Sequence, residues 1–472
     1  MFGGGLDGGL GGILPRAVDG LSQLAARLAG GTLRVGVTGL RRSGKTVFLT
    51  ALLHNLLNAG RLPFLEVMAQ GRFLASRLQP QPDAAVPRFD YERHLADLMG
   101  DPPRWPEATR AISEIRLALR FRTQGLIKYR LAGDSTLTLD LVDYPGEWLL
   151  DLPMLGQDFA TWSAQTLDLA TREPRAALAR DWKAALSGVD PDAKADETLA
   201  RHLAKLYTDY LQACRSGPIG LSLLQPGRFL EPGEMEGAPV LTFCPLPPPK
   251  SDWTGSLHGL MADRFEAYKD KVVRRFYREH FARLDRQVVL VDVLSALNAG
   301  APGLDDLSRS LTATLESFRH GQAGWLSWLG GARIDRVLFA ATKADHVAAD
   351  QHGNLVSLLE SFLADPLAGI RFTGAEVRSL ALASVKATDT VLADWKGRQL
   401  ACVQGTPLGR DAPAVIFPGE VPGSHLDLGP SGEGRFRFTD FRPPPGLGRD
   451  GRGLPNIRLD QVLQFLIGDR LA

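Results

Sequence analysis

The chain has 472 residues, 44% of them hydrophobic and 23% charged. That is a globular composition, and it excludes wholesale disorder. At roughly 100–200 residues per domain, the length implies two or three domains, or one domain with large insertions. Lys and Arg total 54 against 53 Asp and Glu, a net charge of +1. So balanced a chain shows no electrostatic footprint for nucleic acid and no polybasic membrane signal.

The N-terminus, MFGGGLDGGLGG, lacks the charged start and apolar core of a signal peptide and reads as a flexible tail. Residues 17–28, weakly amphipathic, read as a docking helix. No apolar run approaches the ~20 residues that span a bilayer. Cys214, Cys244 and Cys402 lie far apart and form no CxxC pair. Their odd count argues against a disulfide framework and points to a reducing compartment, the cytosol.

Residues 33–38 (LRVGVT) form a short apolar run ending in glycine-rich sequence, as a buried parallel strand does. GLRRSGKT follows, then a helix in which Val47, Phe48, Ala51, Leu52 and Leu56 recur at helical spacing up to Gly60. Residues 61–105 are rich in proline and show no long periodic element. Ile115, Leu117, Leu119 and Phe121 then alternate with Arg116, Ala118 and Arg120, and residues 136–142 alternate likewise. These two strands are expected to be neighbours in one sheet.

Residues 151–286 differ. Helical patterns run through about 155–188, 194–214 and 256–285, broken by a Pro/Gly-rich stretch at 217–249. Beyond them come a buried strand at 287–294, a helix at 304–318, a strand at 336–342, a helix near 355–364 and a strand at 377–384. Short β-like runs between Pro/Gly turns fill 391–445, and a helix closes the chain at about 459–467. Strands alternating with helices imply an α/β fold with a doubly wound, mostly parallel sheet, and GLRRSGKT between its first strand and helix makes the P-loop NTPase, G-domain-like class the expectation. The expected organisation is a tail and docking helix at 1–32 and a core at 33–150 and 287–390. A helical insertion occupies 151–286, and a β-rich segment with the closing helix occupies 391–472.

Gly39 to Thr46 fits GxxxxGK[ST]. Backbone N–H groups of Gly39, Arg42, Ser43 and Gly44, with the helix start at Val47, can wrap a phosphate. Lys45 would neutralise β- and γ-phosphate oxygens and Thr46 would coordinate Mg²⁺. The alternative is a plain strand–helix turn. Asp143-Tyr144-Pro145-Gly146 ends the second hairpin strand. An acid at that strand end can reach a Mg²⁺ shell through water, and the Gly146 N–H can meet a γ-phosphate.

Thr342-Lys343-Ala344-Asp345 has the form [NT]KxD, in which the carboxylate accepts two hydrogen bonds from guanine. Adenine offers no such donor pair. Thr stands where Asn is commoner, which weakens support of the loop, and a surface turn is the bland alternative. The Lys343 stem can pack along the base and His346 flanks it. Ser384-Val385-Lys386 resembles the SAK loop whose backbone contacts the guanine oxygen.

A switch threonine is expected between the first helix and the hairpin. Thr109 fits, completing the Mg²⁺ shell or else capping a helix. Arg110 is an arginine finger in cis or a solvated arginine. Trp105 stacks near the nucleotide or anchors the loop. Glu147 stands where many GTPases place a water-orienting Gln, and its charge predicts slow intrinsic turnover or a different water-positioning group.

Taken together, TGLRRSGKT, GDPPRWPEATRAISEIRLALRFR, VDYPGEWLLDLPML, LLQPGRFLEPGEMEGAP, FARLDRQVVLVDVL, LFAATKADHV and LASVKAT resemble the YcjX-like family of stress-associated bacterial P-loop GTPases. FPGEVP and IRLDQVLQFLIGD extend the resemblance over nearly the whole chain. It implies GTP and GDP binding with Mg²⁺, GTP hydrolysis, and switching in the loops around Thr109 and Asp143. It also implies a role in envelope or phage-shock stress beside an inner-membrane protein partner of the YcjF type. The corresponding location is the cytoplasm, peripheral at the inner membrane. SVK at 384–386, where relatives carry SVQ, leaves the Lys386 side chain dispensable.

Overall fold

A computed structural model describes residues 31–40, 42–107, 111–123, 133–251, 255–320, 334–369, 375–427 and 436–472. The tail and the docking helix expected at 17–28 lie outside the described residues, as do Thr109 and Arg110.

Seven strands form one sheet in the order β2-β3-β4-β1-β5-β6-β7. They are β1 (Thr32–Gly39), β2 (Phe73–Gln79), β3 (Ser113–Arg122), β4 (Asp134–Asp143), β5 (Arg286–Val291), β6 (Arg336–Ala341) and β7 (Glu376–Ala381). The pairs β1–β4, β1–β5, β5–β6 and β6–β7 are parallel, while β3 runs antiparallel to β2 and β4. Five parallel strands therefore end at one sheet edge, the edge where ligands of open α/β sheets bind. The fold is α/β of the P-loop NTPase class.

The central strands are apolar on both faces because both are covered. In β5, Val288 and Leu290 join one core and Val289 and Val291 the other; β6 divides likewise, Leu338 against Val337 and Phe339. Helices α1 (Lys45–Leu57) and, closing the chain, Leu459–Ile467 cover the first face through Phe48, Leu52, Val462 and Leu466. Helices Gly300–His320 and His352–Gly369 cover the second through Leu311, Leu315, Leu358 and Leu359. Between β4 and β5 the described chain holds only helices and loops. Their aromatic residues Trp162, Trp182, Tyr207, Phe243 and Phe265 are continuous with the second core. The insertion therefore shares a core with the sheet.

The hairpin of β3 and β4 is present as expected from its alternation. Ile115, Leu117, Leu119 and Phe121 face the first core. On the opposite face Arg116 grips buried Asp140 with two bonds, 2.6 and 2.8 Å. The pair is part-buried, with Asp140 2% exposed, and it holds the register three residues before Asp143.

Three local readings need correction. Residues 61–105 contain both β2 and the helix α2 (Tyr91–Met99), started by an Asp90 side chain that accepts from the Arg93 N–H. β2 escapes periodicity because it is an edge strand, half exposed and defined by its ladder with β3. The strand expected to reach 294 stops at Val291, because Asp292 caps a helix at Val293–Asn298 by accepting from Ser295 N–H at 3.0 Å. The strand at 377–384 ends at Ala381 and gives way to a loop. In the β-rich segment, β8 (Asp389–Trp395), β9 (Arg398–Gly405) and β10 (Ala414–Ile416) make a separate antiparallel sheet. Cys214, Cys244 and Cys402 are buried free thiols. Among the described residues no helix is long and apolar enough to cross a membrane.

Candidate functional site

The loop from Gly39 to Gly44 leaves the end of β1 and turns directly into α1. Arg42 and Gly44 take left-handed backbone, φ 58° and 78°. A Cβ on Gly44 would have open space, so its requirement is conformational. At Gly39 the requirement is space, since a Cβ there would run into Ser43 Oγ. Ser43 N–H donates to the Leu40 carbonyl at 3.1 Å, closing the loop on itself. No side chain caps α1 and its first turn holds no acid. Its first N–H groups thus face the loop's concave side with a partial positive charge, an arrangement suited to an anion. Val47 is half-buried and packs against the first core.

Parallel pairing sets Val37 opposite Asp143, so β4 ends beside this loop. Lys45 Nζ lies 2.7 Å from Asp143 Oδ1 and donates to the Tyr144 carbonyl, also at 2.7 Å. Asp143 is 1% exposed and its Oδ2 has no partner among the described residues; neither has the buried Thr38 hydroxyl. Gly146 opens a short helix, α3 (Gly146–Leu150), pressed so closely on Gly39 that a Cβ would meet the Gly39 carbonyl oxygen. Thr46 is buried at the start of α1. Lys45, Thr46, Asp143 and Gly146 are thereby brought together around the loop.

The Glu147 carboxylate lies 3.8 Å from Arg215 of the insertion. Three further groups clasp α3: from the insertion, Arg228 lies 3.5 Å above the Trp148 ring and Gln225 donates to the Leu150 carbonyl, and from the helix Gly300–His320, Ser317 donates to the Leu149 carbonyl. Next in the chain, fully buried Asp151 accepts from Gly227 N–H and the Tyr268 hydroxyl. Burial pushes its carboxyl up to about 7, against the opposing pull of Tyr268, Gly227 and Arg228.

Across the same edge, β6 ends in the second loop. Thr342 N–H and hydroxyl both reach the Val291 carbonyl, at 2.9 and 3.3 Å, so Thr does support this turn. Lys343 is left-handed, φ 59°, and its ammonium bridges Asp292 Oδ2 at 2.8 Å and Asp440 Oδ1 at 2.7 Å. Burial lowers its basicity, but the two carboxylates more than reverse this and hold it above the ordinary lysine value. Asp345, 5% exposed, accepts from Ala387 N–H through Oδ2 at 2.8 Å, and its carbonyl accepts from the Thr388 hydroxyl. Oδ1 carries no hydrogen bond among the described residues. Ser384 and Val385 sit in the loop after β7, pinned by Lys386 N–H to the Pro455 carbonyl at 2.7 Å, with Val385 in the first core.

His346 is buried, edge-on to Phe441 with ring centroids 5.2 Å apart. Trp105 Nε1–H donates to the Phe441 carbonyl at 2.7 Å, so here it anchors its loop to the C-terminal segment. Sequence reasoning missed Asp292, although it ends a buried strand as Asp143 does. It also missed Asp440, which no local pattern marks.

The YcjX-like family, DUF463, matches residues 33–471. The chain belongs to this family. It is similar to the Ras-like GTPase YcjX of Escherichia coli strain K12, 43% identical over 469 residues that cover 97% of this chain and all of that one. It is 39% identical to the Ras-like GTPase YcjX of Shewanella oneidensis over 470 residues, 95% of this chain and 96% of that one. A YcjX-like chain thus carries both loops, 39–46 and 342–345, at one edge of its sheet.

Proposed function

We propose that the protein binds GTP and GDP and hydrolyses GTP slowly, acting as a nucleotide-controlled switch. The observation that carries this reading is the Lys45–Asp143 pair beside an uncapped helix start, with one Asp143 oxygen buried and unpartnered. A buried charge left partly unsatisfied marks a site that a ligand completes. Phosphate at the 39–46 loop would draw Lys45 away from Asp143. Thr46 and Asp143, with Thr109, would hold Mg²⁺, which supplies charge neutralisation of the β- and γ-phosphates. The Gly146 N–H would then meet the γ-phosphate, and its strict fit against Gly39 makes α3 sensitive to that contact.

Asp345 would take the guanine N1–H and amine, flanked by Lys343 and His346, with the Ser384–Val385 backbone on the guanine oxygen. Hydrolysis would proceed by in-line attack of water, Arg110 adding charge stabilisation. Glu147 leans toward Arg215 and away from that task, which supports a slow intrinsic rate. We read 33–150 and 287–390 as the G-domain, 151–286 as its insertion and 391–472 as an accessory segment. The family resemblance supports a cytoplasmic stress-response role, beside the inner membrane through a YcjF-type partner. Phosphate release from GTP and from ATP tests the activity: wild type should turn over GTP preferentially, and Lys45→Ala should lower the rate at least about 100-fold. Equal release by both proteins would favour a nucleotide-gated scaffold, and preference for ATP would overturn the guanine reading.

A further inference from the structure

We infer that Asp440 is a sugar-recognition residue of the nucleotide site, its free carboxylate oxygen accepting hydrogen bonds from ribose hydroxyls. The inference rests on the guanine-nucleotide reading above and adds to it a residue from a segment that no nucleotide motif includes. Asp440 Oδ1 accepts from Lys343 and lies 3.8 Å from His346 Nδ1, both in the loop that carries Asp345. The same Lys343 ammonium holds Asp292, which follows the end of β5, the strand lying between β1 of the phosphate loop and β6 of the base loop. Burial raises the pKa of Asp440, yet Lys343 above all, with His346 and Arg42, brings it below the usual carboxylate value, so it stays ionised. A group joined through Lys343 to the strand between the two loops lies where a sugar must lie if the phosphates sit in one loop and the base in the other.

The placement is fixed by the backbone. Leu408 N–H donates to the Asp440 carbonyl and Arg442 N–H to the Thr406 carbonyl, each at 2.8 Å. Phe438 exchanges two hydrogen bonds with the Asn298 side chain, both 2.8 Å. The side chain itself is 50% exposed, and its Oδ2 carries no hydrogen bond among the described residues. An ionised carboxylate accepts and cannot donate. Of the three parts of a nucleotide, phosphate repels it and the guanine donors go to Asp345, which leaves the ribose 2′- and 3′-hydroxyls as its donors.

Calorimetry with GDP and 2′,3′-dideoxy-GDP tests this on the full-length chain. Wild type should favour GDP roughly tenfold or more, because the dideoxy sugar leaves the Asp440 carboxylate without its hydroxyl donors. Asp440→Asn should weaken GDP about tenfold and leave the dideoxy ligand within about twofold, erasing the preference. Asp292→Asn removes the other carboxylate from Lys343 and keeps a capping residue; it should weaken GDP and the dideoxy ligand alike and so leave their ratio at the wild-type value. The inference falls if wild type binds both ligands alike, or if Asp440→Asn weakens both equally, which would mean that Asp440 acts only through Lys343. Those outcomes leave the guanine reading standing, whereas failure of wild type to bind GDP at all overturns both.

Discussion

The two ends of the candidate site are built by different means. At the phosphate end, residues 39–46 are contiguous, and among the described residues only Asp143 and Gly146 arrive from elsewhere, the first on a strand that pairs directly with β1 and the second just after it. At the base end, Asp292, Lys343, Asp345, Ala387 and Asp440 come from four separate stretches of chain and meet only on folding. One end is a local motif; the other is an assembly. The phosphate end should therefore tolerate changes elsewhere, while the base end should respond to changes in any of its contributors.

The largest expected effect separates the two ends. Asp345→Asn should weaken GDP by about 100-fold, because two guanine donors then face an amide that offers one acceptor. Binding of inorganic tripolyphosphate, which engages only the 39–46 loop, should stay within about twofold. Calorimetry on both ligands checks this, and parallel losses would show that the ends are not separable.

A smaller effect concerns the support behind the phosphate end. The Asp151 carboxyl is raised by burial from its ordinary value near 4 to about 7. The folded state therefore holds a proton that the unfolded state has lost between those values. The stability this gives is fully present below about pH 4 and is lost as pH rises to about 7, an amount on the order of 1–4 kcal/mol. Asp151→Asn cannot ionise, so its melting temperature relative to wild type should climb between pH 4.5 and 7.5. Parallel pH profiles would remove Asp151 as the source.

The smallest effect tests the tie between the ends. Trp105→Phe removes the indole N–H bonded to the Phe441 carbonyl and should cost about 1 kcal/mol in denaturant unfolding. It should also weaken GDP two- to threefold while sparing tripolyphosphate. Unchanged GDP affinity would show that Trp105 does not brace the Asp440 segment.

Legibility in the sequence followed the same division. The strands of the sheet centre announced themselves because they are apolar on both faces, and the hairpin did so through the Ile115–Phe121 alternation. β2 was hidden because an edge strand needs no continuous apolar face. The 39–46 loop, Asp143 and Asp345 stand in spacings that the chemistry dictates. Asp440 sits in a Pro/Gly-rich stretch, and its place beside Lys343 depends on a contact across 97 residues. The clasp of Arg228 on Trp148 and of Gly227 on Asp151 likewise depends on tertiary packing that no local window contains.

The central claim is that the loops 39–46 and 342–345 serve one guanine nucleotide. Titration calorimetry of the full-length chain with Mg-GDP and Mg-ADP tests it most directly. The account predicts one GDP bound per chain and ADP bound at least about 100-fold more weakly. Equal affinity for the two, or no heat from GDP, would contradict it.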